Sequence, residues 1–161
     1  LYENIDQHFA KTLIHENSYV EGYDEYEQYE SFKYLDNMNQ KLLQLFKENE
    51  LASYCLVIGA DIGIHYEGWS LDDFSDFISE KGINLEEDSL KTQYKQLQAN
   101  PAAFEPYYVG YEEFMLLKET AQNKLGDKFN DKKFHEAILK SGNAPFTVVE
   151  RNVAAYIKSA K

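Results

Sequence analysis

Apolar residues recur at three- and four-residue spacing in one segment after another of this chain, and no stretch shows the period-two alternation of a half-buried strand. That pattern restricts the fold to packed helices, so the expected class is all-α. Leu1, Ile5, Phe9, Leu13 and Ile14 open an amphipathic helix that has no start signal. Asn17 or Ser18 begins a second helix, to Gln28, with Glu21, Glu25 and Gln28 on one face. Residues 29–50 keep an approximate helical period through Phe32, Leu35, Met38, Leu42, Leu45 and Phe46 and predict one long helix packed on one side. Residues 51–64 are so apolar that Asp61 is almost their only polar member, and they are expected as the central buried helix. Gly59 and Gly63 each cost about 1 kcal/mol against Ala inside a helix, which points to close backbone approach by a neighbour.

Local punctuation places the remaining helices. Ser70 followed by Asp72 and Asp73 is a cap with acidic first-turn residues, and Lys81-Gly82 is a stop. Further helices are expected over 86–98, ended by Asn100-Pro101, over 112–124, ended at Gly126, and over 131–140, closed by Gly142. Pro145 suits the first turn of a last helix reaching about Ser159. The sum is a multi-helix bundle of roughly six to eight helices, read as a single domain over 1–161.

Composition narrows the function. With 16 basic and 28 acidic side chains the formal charge is −12, which leaves no basic stripe to neutralise phosphates. Nucleic acid and anionic membrane surfaces are therefore poor partners. No apolar run approaches the length of a membrane span, so direct membrane insertion by this segment is not expected. The single cysteine, Cys55, has no internal disulfide partner and sits beside Leu56-Val57-Ile58, where a buried inert thiol is expected.

The run Tyr19-Val20-Glu21-Gly22-Tyr23-Asp24-Glu25-Tyr26-Glu27, with its echo in His65-Tyr66-Glu67-Gly68-Trp69, pairs a carboxylate with a Gly and then an aromatic, the equipment of a lined pocket. The same residues also suit a solvated acidic face whose tyrosines cover a core edge, and composition alone leaves both readings open. Of the four histidines, only His15 is followed by Glu, and no second His shares its helix face, so the helical zinc pattern fails; His8 and His15 read as ordinary surface histidines. Glu21, Glu25, Glu27 and Glu67 offer acid pairs for glycoside hydrolysis, a weak signal among 28 acids. No nucleophile elbow or phosphate-binding Gly loop is present, and no Cys stands beside a His.

Four motifs in order across nearly the whole chain resemble the C-terminal part of the bacterial domain-of-unknown-function 885 family: Tyr19-Val20-Glu21-Gly22-Tyr23 with Tyr26; Asp61-Ile62-Gly63-Ile64-His65-Tyr66-Glu67-Gly68-Trp69; Tyr107-Tyr108-Val109-Gly110; and Leu125-Gly126-Asp127-Lys128-Phe129 with Phe134-His135 and Gly142. Members of that family are similar to gluzincin-type zinc peptidases. In those, a His-Glu-Gly-x-Pro-Gly-His helix supplies two ligands and the general-base Glu, and a downstream Glu-Gly-Trp-Ala-x-Tyr segment supplies the third ligand.

The resemblance implies that Glu21 is that third metal ligand. It gives His65 and Tyr107 to substrate orientation or oxyanion stabilisation, since each can donate a hydrogen bond to a developing tetrahedral oxygen. Tyr23 stands where the family usually has Trp, and Gln28 where a second Glu is common. The His-Glu helix is missing from the 161 residues, and Leu1-Tyr2 resembles the pair directly after its final His. The chain is therefore expected to be the C-terminal half of a zincin-like catalytic domain, with zinc and a peptide substrate bound in the parent protein and no activity in this segment alone. By the same resemblance the parent is exported or lipid-anchored at the bacterial cell envelope. The groove left by the missing helix, and the apolar stripe of the first one, are expected to promote self-association. The alternative is a non-catalytic helical module whose tyrosine-rich cleft binds a peptide or protein.

Overall fold

A computed structural model describes residues 15–160. The expected opening helix, its apolar stripe and His8 lie outside the described residues. Among those described the fold is all-α, with seven α-helices and no strand: α1 (Asn17–Ser31), α2 (Gln40–Ile62), α3 (Leu71–Glu80), α4 (Glu87–Ala99), α5 (Glu105–Leu125), α6 (Asp131–Leu139) and α7 (Phe146–Ala160). They divide into two compact units, one holding the described residues up to Glu30 and from Val109 onward, the other Ser31–Tyr108.

The first unit is organised by a backbone contact. A Cβ on Gly22 of α1 would run into the backbone of Gly110 of α5, and one on Gly110 would stand 2.8 Å from the Gly22 Cα. With hydrogen in both places the helices meet main chain to main chain. Large side chains on the flanking turns then close over the contact. Tyr19 and Tyr26 are fully buried, and Phe114 meets Tyr19 edge-on at 5.4 Å and Tyr26 at 5.8 Å between ring centroids. The phenol oxygens are satisfied inside: Tyr19 donates to the Ile138 carbonyl at 3.1 Å, and the Tyr26 hydroxyl lies 2.9 Å from His135 Nε2. Both partners belong to α6, which packs on α7, and Phe134, Ile138, Val149 and Val153 of these two helices are buried. The acidic-aromatic run is thus one helix with two destinations, Tyr19 and Tyr26 in the core and Asp24 and Glu27 in solvent.

In the second unit, Ala60, Ile64, Phe74, Ile78 and Leu97 form the core, with Trp69 and Phe77 against it. Ser70 starts α3 with a full capping box: its hydroxyl accepts from the Asp73 N–H, and the Asp73 carboxylate accepts from the Ser70 N–H at 2.8 Å. This bonding holds the exposed Asp73 carboxyl below its ordinary range.

Four expectations are corrected here. Residues 29–50 do not form one helix: α1 ends at Ser31, Phe32–Tyr34 is a short 3₁₀ turn, and Asn39 caps a new helix by accepting from Lys41 and Leu42 N–H. Nor is 51–64 a separate buried helix. Residue 50 carries no Gly, Pro or cap, so α2 runs straight through it, and Leu43, Ala60 and Asp61 are its buried members. Cys55 is exposed, on the solvent side of that helix. The approach at Gly59 and Gly63 is by aromatic rings, not backbone: the Phe77 ring faces Gly59, and the Trp69 indole occupies the place of a Gly63 side chain.

The two kinds of glycine are separable by mutation. Gly110→Ala forces backbone against backbone and should cost at least about 1–3 kcal/mol of unfolding free energy in urea melts. Gly59→Ala meets only the Phe77 ring, at 3.2 Å, and gains about 1 kcal/mol of helix propensity; it should stay within about 1 kcal/mol of the wild type. Equal losses at the two sites would refute the main-chain contact.

Candidate functional site

Glu21 sits half-buried on α1, immediately before the glycine at the helix crossing. Tyr26, five residues on, is held as a neutral phenol: burial raises its pKa, and the negative Glu30 and Asp131 raise it further. Its hydroxyl can therefore donate to His135 Nε2. Lys118 of α5 is buried with its ammonium on the Glu30 carboxylate, 3.3 Å from Asp131 Oδ1 and 5.7 Å from the Tyr26 ring centre. A buried lysine requires such partners. Sequence reasoning missed this network because Lys118, Glu30 and Asp131 lie far apart in the chain. His135 is tied into this network through the Tyr26 hydroxyl.

His65 and Tyr107 belong to the second unit. At the end of α2 the helix widens into a π turn, Gly63–Glu67, closed by Gly68 at φ 76°. Such a turn re-aims the side chains beyond it. It directs His65 Nε2 to within 3.0 Å of the Leu97 carbonyl on α4 and 3.5 Å of Asp61 Oδ1, one helical turn earlier. A carbonyl only accepts, so Nε2 carries the hydrogen. The other ring nitrogen, Nδ1, can then donate a hydrogen bond only when the imidazole is protonated.

The expected resemblance between the two Glu-Gly-aromatic segments ends here. Gly22 lies inside a helix at a close crossing, whereas Gly68 is the left-handed end of a π turn with open space around it. Glu67 and Tyr66 are exposed.

Tyr107 is half-buried in the first turn of α5 and stacks on Tyr54 of α2, centroids 5.6 Å apart and rings 13° from parallel. α5 begins seven residues earlier than expected, at Glu105, and so takes the Tyr107 segment into the helix. Tyr54 and Asp61 are seven residues apart, on one face of α2. His65 and Tyr107 thus meet the same helix through different neighbours, Asp61 and Tyr54. A groove of about 390 Å³, lined by Phe46, Glu50, Tyr54, Val57 and Phe104 among others, runs along it.

Asp61 is the residue that sequence reasoning noticed and did not use. It is 6% exposed, and its Oδ2 accepts the Ala102 N–H at 3.2 Å. Ala102 is held at φ 57°, a left-handed conformation that costs a residue with a Cβ about 1–3 kcal/mol; the bond to a buried carboxylate offsets that strain. Glu105, within hydrogen-bond reach of Asp61, has its carboxyl held above the ordinary glutamate range by burial and by Asp61, against backbone N–H groups that pull it down.

No group of three His, Cys, Asp or Glu side chains among the described residues is arranged to hold a metal ion, and no described helix is long and apolar enough to cross a membrane. The chain matches the model of the family described as "Bacterial protein of unknown function (DUF885)" over residues 2–153, and it belongs to that family. No curated protein and no solved structure matches it.

The geometry at His65 is open to direct measurement. Nitrogen-15 NMR of the neutral ring should show Nε2–H as the dominant tautomer. A dominant Nδ1–H form would break the bond to Leu97 and the orientation derived from it.

Proposed function

We propose that the chain contributes to a zinc-dependent peptidase, with Glu21 as one metal ligand and with His65 and Tyr107 as groups that orient the substrate or stabilise its tetrahedral oxygen. The observation that carries this reading is the family match over residues 2–153, taken with how three of the motifs converge in the first unit. Tyr19 donates to the Ile138 carbonyl, Gly22 packs on Gly110 and Tyr26 bonds His135, so the helix bearing Glu21 is anchored on either side of it. A ligand carboxylate needs such a fixed backbone, because a site loosened by about 1 Å loses function.

The described residues do not fit a zinc ion by themselves. A catalytic zinc takes three protein ligands and an open position, and Glu21 is one carboxylate. In this reading the His ligands and the general base are supplied from outside the described residues, and this segment alone is inactive. What the chain's own residues would do is hold a carboxylate in place and present hydrogen-bond donors. His65 would present its ring with Nε2 held on the Leu97 carbonyl, and Tyr107 would donate from its hydroxyl. By the same resemblance the parent is an envelope protein, exported or lipid-anchored.

A second reading, a non-catalytic binding module, is favoured by one observation: Tyr34, Met38, Leu42, Leu45 and Phe46 are exposed around the start of α2. It does not draw on the tyrosine run, because Tyr19, Tyr26 and Tyr29 are buried.

Zinc content and peptidase activity of the full-length parent distinguish the two. Glu21→Gln should lower zinc affinity by more than the roughly 10–100-fold typical of an outer-shell change, and activity should fall with it, while the unfolding midpoint of the metal-free protein stays close to wild type. A parent that takes up no zinc, or one whose zinc is indifferent to Glu21→Gln, overturns the reading.

A further inference from the structure

Asp61 Oδ1 and Glu105 Oε2 are buried side-chain oxygens without a hydrogen-bond donor, and the two carboxyl groups are within hydrogen-bond reach of one another. Two ionised carboxylates in that position would repel in a medium of low dielectric, and neither oxygen would gain a bond. One proton removes both faults. It turns one carboxyl into an O–H donor to the other and lowers the charge of the pair from −2 to −1.

The surroundings point the same way. From the end of α2, His65 faces the pair, with Nε2 3.5 Å from Asp61 Oδ1. From α4 comes the Leu97 carbonyl, which accepts from the same His65 nitrogen, and from the link between α4 and α5 comes the Ala102 N–H on Asp61 Oδ2. The first turn of α5 adds Tyr107, stacked on Tyr54 two helical turns before Asp61. Among the described residues no lysine or arginine forms an ion pair with either acid. A cation would have removed the need for a shared proton.

We propose that Asp61 and Glu105 form a proton-sharing acid pair that positions His65 and closes the 100–104 turn onto α2, so that this end of the second unit loosens when the shared proton leaves. Both unpartnered oxygens are sealed from solvent, so the pair acts through His65 and the turn, as positioning residues and not catalytic ones. Any effect on turnover rests on the reading of His65 given above; the pair itself does not.

The sign is set by Glu105, whose carboxyl is held above its ordinary value near 4.5 by burial and then by Asp61. Its contribution to stability is fully present below that ordinary value. It is lost as pH rises through the higher, folded-state value.

Carbon-13 NMR titration of the Asp61 and Glu105 carboxyl carbons, with Ala102 amide exchange and the His65 ring followed in the same samples, tests this. In the wild type Glu105 should titrate above the range of exposed glutamates, and Asp61→Asn should bring its midpoint down. Ala102 amide exchange, beyond its intrinsic pH dependence, should rise about tenfold as the pair loses its proton, the scale of one hydrogen bond to a charged group. Glu105→Gln, whose amide donates as the protonated acid does, should keep Ala102 protected and the His65 ring in place across the same range. Glu105 titrating in the ordinary range in the wild type overturns the proposal, and this needs no variant to fold. A Glu105 midpoint unmoved by Asp61→Asn overturns it as well. None of these readouts involves zinc or activity, so failure of the peptidase reading leaves them unchanged.

Discussion

The contact between Gly22 and Gly110 decides what the first unit can be. Two helices that touch at main chain leave no room for side chains at the crossing, so the apolar surface must be supplied from the turns on either side. α1 supplies it with tyrosines. A tyrosine can be buried only if its hydroxyl finds a partner, and the partners at hand are the Ile138 carbonyl and His135, both on α6. The close crossing therefore fixes the aromatic core, and the aromatic core fixes α6. Through Tyr26 it also determines where a cation is tolerated, because Lys118 lies by that ring with Glu30 and Asp131 on its ammonium.

The second unit is governed by a charge. Asp61 stands in an apolar helix where each neighbouring turn supplies hydrocarbon, and its carboxyl must be satisfied by what tertiary structure brings to it. The Ala102 N–H, the His65 ring and the Glu105 carboxyl all come from outside its own turn. A left-handed alanine, a π turn and a carboxyl held above its ordinary range are three departures from relaxed geometry gathered around one side chain. Departures of this kind gather where a structure is holding something in place.

What the sequence made legible was local. The start of α3 was readable because Ser70 and Asp73 bond to each other's backbone, the start of α7 because Pro145 fits a first turn, and the ends at Gly82, Gly126 and Gly142 because all three are left-handed. The division of α2 at residue 50 was misplaced because it tracked a change in hydropathy, and hydropathy does not end a helix. Asn39, with a side-chain oxygen that can take two backbone N–H groups, was the better signal. Burial within α2 was misjudged for a related reason. An apolar run shows what a helix could cover, but which face is covered depends on partners elsewhere in the chain, and Cys55 and Leu45 lie on the uncovered side.

The candidate site was legible as a pattern and less so as a set of roles. Glu21-Gly22-Tyr23 with Tyr26 stood out in the sequence; in the structure the glycine and Tyr26 serve packing, and Glu21 alone among these carries a group suited to a metal. Asp61 was visible as the odd acid in an apolar stretch. Glu105 was not, because nothing local marks it: its environment exists only once α5 begins against α2. A motif of this kind records a frame as much as a reacting atom. The residues that immobilise a backbone and the residue that works from it stand side by side in sequence, since rigidity is needed within a turn of the working group. Separating them takes the distances: a side chain sealed in the core with its hydrogen bonds complete is frame, and a half-buried acid beside it is what the frame can present.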